Sequence, residues 1–386
     1  MSQPTPVTPD TLIRPEVRAL SAYRVADASG LVKLDAMENP YAWPGDLTDA
    51  WLARLHNTHL NRYPDPAATD LKQRLRETFQ IPAHAELLLG NGSDELIQIL
   101  ITALARRDAV VMSVEPSFVM YRQIAGFLGM RYVGVPLTAD FQLDPSATLA
   151  AIEQHRPSVL FLAYPNNPTG NVFDSAVVRD IIAATPGLVV LDEAYFAFSG
   201  KSFLGCVLDH PNLLVMRTVS KLGLAGLRLG FLVGGPDWLT ELEKLRLPYN
   251  INTLTQISSE FALCNIAVLE QQARKIAADR DGLASALAAL PGLTVFPSQA
   301  NFILFRVPQG TADTVFQGLR ARGVLIKNVS SASTALKDCL RVTVGSPAET
   351  AAKKIASIVR TQIQMVIHLH HSYVSRTGSG PFHNYG

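Results

Sequence analysis

Apolar residues in this chain fall into short runs separated by stretches with helical spacing. Leu87-Leu88-Leu89, Ala109–Met112, Ser158–Ala163, Leu188–Leu191 and Leu213–Met216 each read as a strand. Runs this short and this uniformly apolar suit strands covered on both faces. Asp94–Ala105, Phe118–Phe127 and Asp174–Ala184 lie between them and place apolar residues at helical intervals. Strands alternating with helices predict a parallel sheet sandwiched by helices, an α/β fold with a three-layer large domain.

After Pro248 the pattern changes. Glu270–Leu290 predicts one long helix, stopped by Pro291-Gly292. Short strands are expected at Leu293–Phe296, Phe302–Phe305 and Leu340–Val344, with helices at Thr311–Arg322 and Glu349–Met365. This reads as a smaller α+β domain. The expected boundaries are an N-terminal arm over 1–42, partly packed on the small domain, a large domain over 43–262, the small domain over 263–366 and a disordered tail over 367–386. That tail holds His368, His370, His371 and His383 among Gly, Ser and Pro, and is read as a loose terminus without a metal.

Composition narrows the class. Of 386 residues, 48% are hydrophobic and 17% charged, enough apolar material for a large core and the reverse of a disordered chain. The formal net charge of +1, with no basic block, argues against a nucleic-acid or anionic-membrane partner. Cys206, Cys264 and Cys339 are scattered and odd in number, as expected of reduced thiols. The polar Met1–Asp10 start resembles no signal peptide, and no uncharged run reaches membrane length, so a cytoplasmic protein is expected.

Four ordered motifs carry the candidate chemistry. Gly90-Asn91-Gly92-Ser93-Asp94-Glu95 follows a predicted strand and opens a helix, where backbone amides and the helix dipole can hold a phosphate. The same residues would also serve as an ordinary helix cap. Tyr164-Pro165-Asn166-Asn167-Pro168-Thr169-Gly170 presents Asn167 on a proline-stiffened turn. Leu191-Asp192-Glu193-Ala194-Tyr195 places two acids and a phenol at a strand's carboxyl end, where open α/β sheets bind ligands. Ser220-Lys221 precedes an apolar stretch that runs to Arg228, surroundings that lower a lysine pKa and favour the reactive amine. Together they offer a phosphate cradle, a carboxylate to keep a ring nitrogen protonated, hydrogen-bond donors and an amine able to attack an aldehyde. That set suits pyridoxal 5'-phosphate. Phe118 could stack on its ring, with Ala194 small enough for the opposite face.

With these motifs in place, the chain resembles the fold-type-I pyridoxal-phosphate aminotransferases, from about Val17 to about Val359. Within them it is similar to the histidinol-phosphate aminotransferases, through Val17–Tyr23, Asn61-Arg62-Tyr63-Pro64-Asp65, Leu224–Gly230 and Cys339–Gly345. The resemblance implies a mostly parallel seven-stranded sheet. It gives Lys221 the covalent link to the cofactor and the later proton transfers, Asp192 the ring nitrogen, and Asn167 and Tyr195 the ring oxygen. Gly92, Ser93, Asp94, Ser220 and Arg228 would bind the cofactor phosphate. Tyr63 would reach the cofactor of a neighbouring subunit in a homodimer. Tyr23, Asn39, Asn167, Lys327 and Arg341 would line the substrate site. The implied reaction joins L-histidinol phosphate and 2-oxoglutarate to imidazole-acetol phosphate and L-glutamate, in histidine biosynthesis. Phe118 stands where Tyr is common, and Lys327 where a second arginine is frequent. An aromatic amino-acid aminotransferase or a threonine-phosphate decarboxylase would use most of the same residues. A ligand-sensing module of a transcription regulator is disfavoured, because the arm is too short and Pro-rich for a DNA-binding unit.

Overall fold

The computed structural model describes residues 7–22, 25–350 and 355–364. Its centre is a seven-stranded sheet. In chain order the strands are β1 (Glu86–Gly90), β2 (Val110–Glu115), β3 (Arg131–Pro136), β4 (Val159–Ala163), β5 (Leu188–Asp192), β6 (Leu213–Thr218) and β7 (Gly230–Gly234). They lie side by side as β1-β7-β6-β5-β4-β2-β3. All are parallel except β7, which runs antiparallel to both neighbours. The chain's pattern predicts β1, β2, β4, β5 and β6 individually. It does not single out β3, an edge strand with Gly134 and Pro136, or β7, a short apolar strand bounded by glycines.

Strand alternation divides the apolar residues between two cores. Leu89, Leu162, Val189, Leu191 and Val215 face one side of the sheet. Leu88, Phe161, Leu188, Val190 and Leu214 face the other. Adjacent residues in one strand thus serve opposite layers, as a period of two requires. Helices Thr69–Phe79 and Ser175–Ala184 cover the first side with Leu71, Leu75, Val178, Ile181 and Ile182. Helices Ser93–Leu104 and Met120–Phe127 cover the second with Leu96, Leu100 and Ile124.

The C-terminal part builds a separate four-stranded sheet around Phe302–Arg306 and Cys339–Thr343. Its core includes Ile303, Phe305, Val315, Leu319, Leu340 and Val342, together with Leu34 from the N-terminal segment. Val32–Lys33 also pairs in parallel with Val324–Leu325. Helix Ile266–Ala288 joins the two regions: Leu269, Ala273 and Ile276 enter the first core, and Leu283 and Leu287 enter the C-terminal one. The expected final helix appears as Pro347–Thr350 and as helical residues 355–364. The histidine-bearing tail lies outside the described residues. No described helix is long and apolar enough to cross a membrane.

Under the site, Glu193 and Arg217 form a buried ion pair at 2.8 Å. Ser202 Oγ and the Phe203 N–H also donate to Glu193, at 2.8 and 2.6 Å, and Arg217 lies 4.0 Å over the Phe196 ring. The two acids of the Asp192-Glu193 pair therefore part: Asp192 faces the ligand edge and Glu193 is used within the protein. Removing one partner of such a pair strands a buried charge. Arg217→Met should lower stability by about 3–5 kcal/mol, and adding Glu193→Leu should recover most of the loss. Urea unfolding of the three proteins checks both parts.

Candidate active site

The parallel strands all end at one edge of the sheet, and antiparallel β7 begins there. Ser93 follows β1, Phe118 follows β2, Asn167 follows β4, Asp192 ends β5, and Ser220 and Lys221 follow β6. Arg228 enters the same edge just before β7. These residues, with Asp94, Ala194 and Tyr195, line one cleft. Met37, Ala163 and Thr218 complete the lining and were not singled out by the motifs.

One end of the cleft is built for an anion. Helix Ser93–Leu104 starts there, and its first backbone N–H groups have no intrahelical acceptor. Gly92 caps it at φ 88°. A Cβ on Gly92 would lie 2.5 Å from Arg228 Nη2, so only glycine lets the guanidinium reach the helix start. Arg228 itself is held left-handed at φ 51°, and its Nη2 lies 3.6 Å from Asp94 Oδ2. Ser220 is buried, and its Oγ accepts from Thr218 Oγ1 at 2.9 Å.

Asp192 lies in the middle, with its carboxylate buried. Tyr121 Oη donates to its Oδ2 at 2.6 Å, and the Ala194 N–H donates to its Oδ1 at 3.1 Å. Burial pushes the Asp192 pKa up to about 6, against the pull of those two hydrogen bonds. Tyr121 carries no motif signal. Its helical position, three residues after Phe118, is the only hint that it turns inward beneath that ring. Phe118 and Tyr121 meet edge to face at 5.6 Å.

At the other end Lys221 Nζ donates to the Ala36 carbonyl at 3.1 Å. Burial lowers its pKa to about 8, and the nearby Arg341 charge adds to the effect. Lys221 belongs to a wide turn over Ser220–Leu224, in which Gly223 has φ 126°. A Cβ there would come within 2.8 Å of Asn39 Nδ2. That amide donates to the Leu222 carbonyl at 3.2 Å and to Gln272 Oε1 at 2.9 Å, so Asn39 abuts the lysine turn. Asn167 donates to Tyr195 Oη at 3.2 Å and accepts from Arg341 Nη1 at 2.5 Å. Arg341 Nη2 also donates to the Asp35 carbonyl at 2.9 Å. Burial holds the Tyr195 phenol protonated by raising its pKa, partly offset by the Arg341 charge.

Two predicted residues, Lys327 and Tyr63, do not line this cleft. Lys327 is the cross-strand neighbour of Arg341 in the small sheet. Tyr63 is 81% exposed and stacks on Tyr249 at 4.4 Å, on the outer surface. Tyr23 lies outside the described residues.

The donor set fits pyridoxal phosphate. The anion end suits a phosphate, and the lysine amine has a pKa at which it is readily freed. Both groups that hold Asp192 are neutral, so a cationic ring nitrogen would offset the cost of its buried charge. The sign of that cost is testable. A folded-state pKa above the unfolded value means that stability falls as pH rises from about 4 to about 6, and the penalty is complete above that. Asp192→Asn should therefore raise the stability of cofactor-free protein at pH 8 by about 1–3 kcal/mol and remove that slope. Denaturation of both proteins across this pH range checks it.

Comparison with known proteins converges on the same chemistry. Residues 29–358 match the family described as aminotransferase class I and II. A histidinol-phosphate aminotransferase from Nitrosococcus oceani is 56% identical over 340 residues, which cover 88% of this chain and 94% of that protein. One from Chromobacterium violaceum is 52% identical over 346 residues, covering 90% and 97%. Among solved structures, the histidinol-phosphate aminotransferase of Sinorhizobium meliloti in complex with pyridoxal-5'-phosphate has the same fold. It has a TM-score of 0.81 at 23% identity and covers 92% of this chain and 98% of that one. A lysine, a carboxylate and an anion cradle gathered at the strand ends of this fold, with a family match over most of the sequence, place the chain among the class I and II aminotransferases.

Proposed function

We propose that this protein is a pyridoxal-phosphate-dependent transaminase. It would exchange the amino group of L-histidinol phosphate with 2-oxoglutarate, giving imidazole-acetol phosphate and L-glutamate. The observation that carries the substrate class is the 56% identity to a histidinol-phosphate aminotransferase over nearly the whole length of both chains. The site supports it with Arg341, a guanidinium oriented by Asn167 and the Asp35 carbonyl. A guanidinium fork suits the phosphate of one substrate and a carboxylate of the other.

When bound, the cofactor supplies an electron sink for charge developing at the substrate α-carbon. The chain's residues do the rest. Gly92, Ser93, Asp94, Ser220 and Arg228 hold the phosphate. Phe118 and Ala194 confine the ring between them. Asp192, kept in place by Tyr121, holds the proton on the ring nitrogen. Asn167 and Tyr195 donate to the ring oxygen. Lys221 Nζ provides the amine for covalent attachment and then carries protons, a task suited to a pKa near the working pH. Lys327, beside Arg341, would add a second positive charge for the substrate anion, and Asn39 abuts the lysine turn; Tyr23, assigned to this site by the resemblance, lies outside the described residues.

We also propose a homodimer. Tyr63 does not line its own cleft; it is exposed and stacks on Tyr249, and Leu60 and Leu247, near them in sequence, are exposed as well. A second copy covering that surface would receive Tyr63 at its own cofactor phosphate. Tyr63→Phe should then weaken cofactor retention several-fold while sedimentation still reports a dimer.

The substrate assignment is tested by kcat/KM for histidinol phosphate against phenylalanine, each with 2-oxoglutarate. Histidinol phosphate should be preferred by at least about tenfold. A preference for phenylalanine would move the enzyme to the aromatic amino-acid class. Carbon dioxide release from threonine phosphate, without any need for 2-oxoglutarate, would make it a decarboxylase. Lys221→Ala should lower turnover by at least about a thousandfold.

A further inference from the structure

Met37 lines the cleft, yet no motif announces it. Its backbone is left-handed, φ 54°, a conformation that branched or bulky residues avoid and methionine rarely adopts. The surrounding protein imposes it. The Met37 N–H donates to Thr343 Oγ1 at 3.0 Å, and its carbonyl accepts from Asn301 Nδ2 at 3.0 Å. Backbone held in such a state gathers at ligand sites, where the direction of a side chain is worth the cost.

The two preceding carbonyls show what the Met37 segment holds. Ala36 O takes the Lys221 ammonium at 3.1 Å, and Asp35 O takes Arg341 Nη2 at 2.9 Å. Met37 therefore directly follows the two residues whose carbonyls hold the guanidinium and the reacting amine. It is 8% exposed and lines the cleft. In the substrate proposed above, the carbon bearing the amino group also carries the phosphate arm and the ring-bearing arm. With the amine at Lys221 and the phosphate at Arg341, the ring projects from the carbon between them. A thioether is apolar and polarizable, and makes favourable contacts with the edge of an aromatic ring.

We propose that Met37 is a specificity-determining residue, its thioether forming the wall against which the substrate's imidazole ring packs. This rests on the substrate reading above. The left-handed backbone aims the side chain, and the Thr343 and Asn301 hydrogen bonds keep it aimed.

The test separates ring recognition from catalysis. Calorimetry on the pyridoxal-phosphate-loaded protein would compare imidazolylpropyl phosphate with propyl phosphate, neither of which carries an amine to react. The wild type should bind the ring-bearing compound more tightly. Met37→Gly and Met37→Asn both suit a left-handed backbone, so neither needs the segment to move. Each should reduce the ratio of the two Kd values about three- to tenfold, the range of a sulfur–aromatic contact. An unchanged ratio, including equal weakening of both ligands, overturns the proposal, as does a wild type with no ring preference. Turnover of histidinol phosphate, followed alongside, reports on the substrate reading separately. A wild type that favours the ring in binding but does not turn over histidinol phosphate would sink that reading and leave the Met37 wall standing.

Discussion

A carboxylate buried at the end of a strand costs free energy, and the arrangement of the site follows from accommodating that cost. Asp192 terminates β5 with apolar layers on both sides of the sheet, and the hydrogen bonds it receives come from a phenol and an amide. Neither neutralises it. An apolar residue there would stabilise the empty protein and leave nothing to hold a protonated ring nitrogen. Of the nearby cations, Lys221 and Arg228 line the cleft and Arg341 lies against Asn167, and none of the three hydrogen-bonds to Asp192. Glu193, one residue on, is neutralised by Arg217 within the protein, so its charge does not compete in the cleft.

The fold brings these groups together through direction rather than proximity in sequence. Parallel strands deliver their carboxyl ends to one edge, and each following loop contributes a different kind of group. The antiparallel strand β7 makes one addition that parallel strands cannot: its start lies at that edge, so Arg228 arrives from the loop before a strand. Gly230 is part of the same device. A Cβ there would lie 2.7 Å from the Gly92 backbone, so glycine lets β7 pass close beneath the phosphate cradle.

Much of this was legible because it is written in contiguous motifs. Asn167, Asp192, Tyr195, Ser220 and Lys221 each end or follow a strand whose apolar run is plain, and their side chains carry the chemistry. What escaped has a common cause. Ala36 acts through its carbonyl, which any residue possesses, and Met37 is set in place by a left-handed backbone that no motif announces. Tyr121 acts from beneath the site, where an aromatic residue on a helix face reads as core. Thr218 serves by orienting Ser220. β7 was hidden because glycines at both ends dilute its apolar signal. Tyr63 and Lys327 follow from the resemblance alone, and neither lines the cleft of a single chain.

The long helix Ile266–Ala288 has a consequence for how this protein can be taken apart. It is roughly 35 Å long and gives one end to each of two cores. A chain cut just before it would leave the first core without Leu269, Ala273 and Ile276, and would give the C-terminal piece an uncovered apolar stripe. The two regions therefore have separate sheets but shared walls. Neither region closes its core without the helix that they share.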